Sequence, residues 1–181
     1  MDADAVAMID RPWPRAKAIP AAFEQLFRAE YARVVRIAYR VDGDQGAAED
    51  VAQDVFIAYY RAHAADAPYA APWLHRAAAH TALNAVRSRA RRTAREERDV
   101  RGRDASADPE GAALERERAR EVRAALARMP RASAELLALR YSGLSYAEVA
   151  AATGTKIDQV GTRLRRAHDA FRREVLNGQH R

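Results

Sequence analysis

The stretch that most narrows the folds open to this chain is residues 145–173, SYAEVAAATGTKIDQVGTRLRRAHDAFRR. Ser145 can cap a short helix, and Glu148, three residues on, completes a capping box. Val149 and Ala152 are the apolar positions of that helix. Thr153-Gly154-Thr155 then supplies a turn in which Gly154 is free to take positive φ. A second helix starts near Lys156 or Ile157. Its apolar residues Ile157, Val160, Leu164, Ala167, Phe171 and Val175 recur at spacings of three and four and share one face. At about 100° per residue, the opposite face collects Asp158, Gln159, Thr162, Arg165, Arg166, Asp169 and Arg173. One stripe that holds a helix to its domain, and another that meets base edges and phosphates, is the build of a recognition helix. The charge run alone fits an amphipathic hairpin with a solvated face just as well. The capping box, the glycine turn and the spacing together favour DNA contact.

The chain has 181 residues, enough for one large domain or two small ones. Its net charge of +6 favours a polyanionic partner, nucleic acid or an acidic membrane surface. The absence of cysteine excludes disulfides and thiolate metal sites or nucleophiles. No apolar run approaches the roughly 20 residues that span a bilayer. The N-terminus carries acids before its first base and lacks an apolar h-region, so no secretory signal is expected and the protein reads as cytoplasmic. Much of the 49% hydrophobic content is alanine, which favours helices and buries little area. The expected fold is all-α, two small helical domains with thin cores joined by a flexible polar linker.

Residues 1–20, with Pro12, Pro14 and Pro20 around Trp13, read as a loosely ordered leader. Residues 21–39 place Phe23, Leu26, Phe27, Tyr31, Val34, Val35, Ala38 and Tyr39 at helical spacing. Residues 41–46 read as a loop, and residues 47–62 as a second helix with Val51, Val55, Phe56, Tyr59 and Tyr60 on its apolar side. Between Val41 and Tyr60 there are five acids, Asp42, Asp44, Glu49, Asp50 and Asp54, and no base. In a chain of net +6 this reversal points to a surface that meets protein. Acids favoured at a helix N-terminus account for Glu49 and Asp50, and less well for Asp54.

Residues 63–72 read as a loop, and Trp73 as the opening of a third helix that turns basic toward its end. From Arg87 to Arg103 there are eight arginines against three acids. Aromatics ahead of an arginine-rich helix suit single-stranded or melted nucleic acid, although a lone tryptophan is more often core. Residues 99–113 hold Gly102, Ser106, Pro109 and Gly111 and form the expected linker. Beyond it come a helix over 114–128 with Val122 and Leu126 apolar, a helix capped by Ser133, and the opening stretch. Residues 174–181 are expected to fray.

This layout resembles the bacterial RNA polymerase sigma factors of the extracytoplasmic-function (ECF) group, which keep only the second and fourth sigma regions. AAEDVAQDVFIAYYRAH is similar to the segment that docks on the polymerase coiled coil. PWLHRAAAHTALNAVRSRARR is similar to the helix that melts and reads the −10 element, and LLALRYSGLSYAEVAAATGTKIDQVGTRLRRA to the −35 reader. The resemblance implies a region 2-like domain over 21–98 and a region 4-like helix-turn-helix domain over 114–181. It implies that Glu49, Asp50, Gln53 and Asp54 hold core polymerase, with Phe56 supporting that contact or the hydrophobic core. Tyr69, Trp73, Arg76, His80, Asn84 and Arg87 would serve the −10 element. Lys156, Asp158, Gln159, Thr162, Arg163, Arg165 and Arg166 would serve the −35 duplex, with Arg163 nearer the phosphates. The family commonly has asparagine where this chain has His80, a bulkier aliphatic where it has Ala77, and a basic residue where it has Gly161. The implied partners are core RNA polymerase and promoter DNA, with room for an anti-sigma factor and no membrane insertion. No cofactor, metal site or catalytic constellation is expected: the five histidines show no ligand spacing and no glycine-rich phosphate loop occurs. A helix-turn-helix regulator that acts without core polymerase is the alternative from another class, and an RNA-binding protein using the arginine-rich segment is a third. The acidic helix is what separates the first from these.

Overall fold

The computed structural model describes residues 19–99 and 110–179. Its seven helices are α1 (Ala21–Asp42), α2 (Gln45–Ala62), α3 (Ala70–Asp99), α4 (Glu110–Arg128), α5 (Arg131–Tyr141), α6 (Tyr146–Thr153) and α7 (Ile157–Gln179), with no strand among the described residues. The leader up to residue 18, with Trp13, and the middle of the expected linker, residues 100–109, lie outside them.

Between α1 and α2 the expected loop over 41–46 shrinks to two residues. Gly43 takes φ 77° and ends α1, its N–H reaching the Tyr39 carbonyl at 2.7 Å. Asp44 then caps α2 by accepting the Ala47 N–H at 2.7 Å. Both ends are satisfied locally, so the polar residues that suggested a loop serve as caps. α3 begins at Ala70, three residues before Trp73. Pro72 falls in its first turn, where the missing N–H would have no intrahelical partner. Helix also enters the expected linker from both sides, to Asp99 and from Glu110. An acid suits a helix N-terminus, and Ala112 and Ala113 favour the helix that follows.

Ser133 does not cap α5. Pro130, with extended backbone, occupies the cap position, and Ser133 donates its N–H to the Pro130 carbonyl at 3.0 Å from inside the first turn. α6 forms as its sequence dictates: Ser145 Oγ accepts the Glu148 N–H, Glu148 returns a bond to Ser145 N, and Gly154 closes the helix at φ 64°. On α7, Val160, Leu164, Ala167 and Ala170 are buried, and Phe171 and Val175 half-buried, whereas Ile157 is exposed because it stands at the helix's first position, beyond the packed surface.

The N-terminal half packs α1, α2 and α3 around Val34, Ile37, Val51, Val55, Phe56, Tyr59, Leu74, Leu83 and Val86. Alanines 38, 48, 52, 78, 79 and 82 fill the spaces between. Each buried leucine or valine contributes about 1.5–3 kcal/mol and an alanine methyl under about 1 kcal/mol. The few large side chains therefore hold this half together. Leu136, Leu139, Leu144, Val149, Val160 and Leu164 do the same for α5, α6 and α7, and the two sets belong to one continuous buried cluster. α3 touches α4, α5 and α6 as well as α1 and α2. That contact decides what the candidate sites look like.

Candidate nucleic-acid and polymerase interfaces

α2 turns Asp50, Gln53, Asp54 and Ile57 outward at spacings of three and four, all exposed. Glu49 is half-buried and accepts a bond from Gln45 at 2.6 Å. Asp42 leaves the acidic surface, and Asp44 stays on it with one carboxylate oxygen engaged. Asp44 is the α2 cap, and Asp42 is buried and ion-paired with Arg89 of α3. Phe56, expected among the docking residues, is 3% exposed and sits against Phe23, Phe27 and Tyr31. Ile57, one position on, takes the outward place. Helical spacing already put Phe56 with Val51, Val55 and Tyr59 on the apolar side, and the structure buries it there.

On α7, Asp158, Gln159, Thr162, Arg163, Arg165 and Arg166 are exposed, as is Lys156 just before it. Arg163 is tied down, donating to Thr155 Oγ1 at 3.2 Å and to Gln159 Oε1 at 3.5 Å. Arg165 and Arg166 lie on different flanks. Arg165 lines a groove with Arg140, Tyr146 and Asp169, and Arg166 lines a cleft of about 280 Å³ with Arg76, Ser133, Glu135 and Arg163. Guanidinium groups on both flanks of one exposed helix can serve guanine edges and phosphates at once.

The residues assigned to the −10 element divide into two groups. Tyr69 is exposed at the start of α3, and Trp73 is half-buried in a ring cluster, 5.3 Å from Tyr59 and 4.8 Å from His63. Arg76, His80, Asn84 and Arg87 continue the stripe, and the turn between α4 and α5 lies against all four. Arg87 donates to the Met129 carbonyl at 2.7 Å, just past the end of α4, where a cation favours the helix dipole. Burial and the neighbouring Arg131 lower the pKa of that guanidinium, and its Nε is buried with no bonding partner. Arg131 donates to His80 Nε2 at 2.6 Å and to Asn84 Oδ1. A guanidinium can only donate, so His80 carries its proton on Nδ1 and gives it to Glu135 Oε1, 2.8 Å away. Arg76 Nε lies 4.0 Å from the other Glu135 oxygen. Arg131 and Glu135 stand 47 to 59 residues from their α3 partners, and no local pattern announces them.

His75, on the adjoining stripe of α3, is 2% exposed and meets Glu30 Oε2 at 2.7 Å. Burial pushes its imidazole below the usual range, against the pull of Glu30. Among the described residues no group of three or more His, Cys, Asp or Glu could hold a metal ion.

Residues 26–92 match the family model Sigma-70 region 2, and residues 119–168 the model Sigma-70, region 4. The ECF RNA polymerase sigma factor SigE of Mycolicibacterium smegmatis is 30% identical over 155 residues, 83% of this chain and 60% of that protein. The chain thus spans less than two thirds of that relative's length. The solved structure of CnrH in complex with the cytosolic domain of CnrY is similar in fold, with a TM-score of 0.51 at 24% identity over 86% of this chain and 88% of that one.

Proposed function

The chain belongs to the ECF group of the sigma-70 family, and from that premise we propose that it is an alternative sigma factor. It binds core RNA polymerase and directs initiation at a specific class of promoter. Two sigma regions in order within one chain carry this reading, because a helix-turn-helix regulator working without polymerase needs only the second. The exposed stripe Asp50, Gln53, Asp54 and Ile57 supports docking on core. An apolar residue inside an acidic surface suits a basic protein partner.

The exposed face of α7 grips −35 duplex in the major groove, and α3 supplies the walls for an unstacked −10 base, with Tyr69 and Trp73 as stacking rings. The work is recruitment by binding, with no covalent step, and its place is the cytoplasm. No described helix is long and apolar enough to cross a membrane. An anti-sigma factor is a further proposed partner. The apolar groove of about 580 Å³ between α1, α4, α5 and α7, lined by Val41, Leu126, Leu137, Tyr141 and Phe171, offers it a surface shared by both halves.

The test is association with purified core RNA polymerase. The wild-type chain should bind, and the Asp50→Lys, Asp54→Lys double variant should bind about tenfold more weakly or worse at unchanged helical content, since like charges across an interface cost several kcal/mol. Equal binding by the double variant places docking elsewhere.

A further inference from the structure

The seam between α3, α5 and α7 holds a cleft of about 280 Å³ whose walls carry Arg76, Ser133, Thr155, Arg163 and Arg166. Its cations come from two distant segments, Arg76 from α3 and the other two from α7. Among the described residues Arg166 has no ion pair or hydrogen bond. Arg76 has only its Nε near a carboxylate, 4.0 Å from Glu135. That carboxylate is 6% exposed and is already matched by the His80 ring at 2.8 Å and by Arg131 at 3.3 Å. The terminal nitrogens of Arg76 and the whole fork of Arg166 are therefore free donors at the cleft. Arg163 is fixed beside them by its bond to Thr155 Oγ1 at 3.2 Å, which leaves the threonine its own proton to donate. The Ser133 hydroxyl, in the first turn of α5, has no bond among the described residues. Three guanidinium groups around so small a space repel one another, and an anion seated among them relieves that repulsion.

We propose that this cleft binds a compact polyphosphate, of the kind carried by a nucleoside di- or triphosphate, between Arg76 on one side and Arg166 on the other. A guanidinium offers paired N–H donors that match two phosphate oxygens, and it stays charged at any physiological pH. A ligand of one negative charge would leave most of the cationic wall unmatched, whereas a diphosphate carries several charges within a short span. The cleft is smaller than the roughly 300–1,000 Å³ of pockets that enclose a whole drug-sized ligand, so it takes the phosphate chain and leaves any attached nucleoside outside. A DNA backbone shares the phosphate chemistry but presents it one charge at a time along an extended strand. Because the donors come from both halves of the chain, the ligand bridges α3 and α7 and stabilises the assembled fold by mass action. The site stands whether or not the chain works as a sigma factor.

The experiment titrates the full chain with pyrophosphate by calorimetry at about 0.15 M salt, where exposed charges are largely screened. One saturable site is expected, with a higher melting temperature for the loaded chain. Arg76→Ala, Arg166→Ala should weaken that binding about tenfold or more, because each removes charge-assisted bonds to the ligand. Arg172→Ala, Arg173→Ala takes the same charge from exposed positions of α7 outside the cleft, and should change the affinity by less than about twofold. Arg166→Ala alone breaks no internal bond, so its expected several-fold loss stands even where the Arg76 change disturbs the fold. Absence of saturable pyrophosphate binding overturns the site, and so does unchanged affinity in Arg166→Ala. Equal weakening by the two alanine pairs overturns it as well, since overall charge would then be the attraction. A random duplex titrated in parallel separates the two sources of phosphate. Weaker duplex binding by Arg76→Ala, with no pyrophosphate bound by wild type, would give the cleft to a DNA phosphate and overturn the polyphosphate site.

Discussion

Glu148 accepts the Ser145 backbone N–H and hydroxyl on Oε2, each at 2.8 Å, and the Arg33 guanidinium on Oε1. The two Ser145 bonds first, and Arg33 after them, hold its carboxyl down to about 2 from an ordinary 4.5. An unfolded chain would take up this proton as the pH falls from 4.5 toward 2 while the folded one would not, so stability drops across that window. Buried His75 works in a higher window. Its folded pKa lies below the ordinary 6.5, so the unfolded chain protonates first and stability falls as the pH drops below 6.5, until the folded value is passed. Urea unfolding followed from pH 7.5 to 2.5 should show both slopes. Glu148→Gln should remove the lower slope by bringing neutral stability down toward the wild-type acid value, because the amide can still complete a capping box but lacks the charge that Ser145 and Arg33 stabilise. His75→Gln should flatten the upper one. Slopes unchanged in both variants would assign acid sensitivity to other groups.

At the scale of elements, α7 carries a flaw that its surroundings do not require. Gly161 stands mid-helix without positive φ, and a Cβ there would meet Tyr146 Cε2 at 3.6 Å, an ordinary contact. Glycine costs about 1 kcal/mol against alanine inside a helix. Gly161→Ala should therefore raise stability by up to about 1 kcal/mol, read as a higher urea midpoint at unchanged slope. Because the added methyl meets only Tyr146 of α6, at an ordinary distance, duplex binding should stay within about twofold of wild type, well under the 1.4 kcal/mol that a tenfold change represents. A loss of stability would mean that the α6–α7 contact has no room for the methyl.

For the whole molecule, the continuous buried cluster and the polar attachments on α3 together make the two halves one folded body in the absence of DNA. Gly102 and Pro109 lie in the polar segment that the sequence marks as a linker, with Arg101 and Arg103 as trypsin sites. A brief digestion that cuts there once should leave the two pieces co-eluting at the position of the intact chain. They should stay together at high salt, which screens the polar attachments and leaves the buried cluster intact, and separate in urea. Pieces that separate at once in low salt would show that the contact does not outlast the covalent link.

Local chemistry was enough to make much of this molecule legible. The 145–173 stretch announced its own capping box, glycine turn and amphipathic helix, because each of those features rests on bonds or spacings within a few residues. The exposed Asp50, Gln53 and Asp54 followed from the same periodicity. Caps at Gly43 and Asp44 were readable in principle, yet polar residues look alike as a loop and as paired helix ends. Helical spacing already put Phe56 with Val51, Val55 and Tyr59 on the apolar side of its helix, and packing against Phe23, Phe27 and Tyr31 buries it, which removes it from the docking surface the resemblance implied. Packing also decided the state of the α3 stripe. The sequence by itself determined that Arg76, His80, Asn84 and Arg87 share a face. Only the tertiary structure, by bringing Met129, Arg131 and Glu135 across some 50 residues of chain, decided which partners these side chains bond, since hydrogen bonds between distant side chains depend on a meeting that no local spacing encodes.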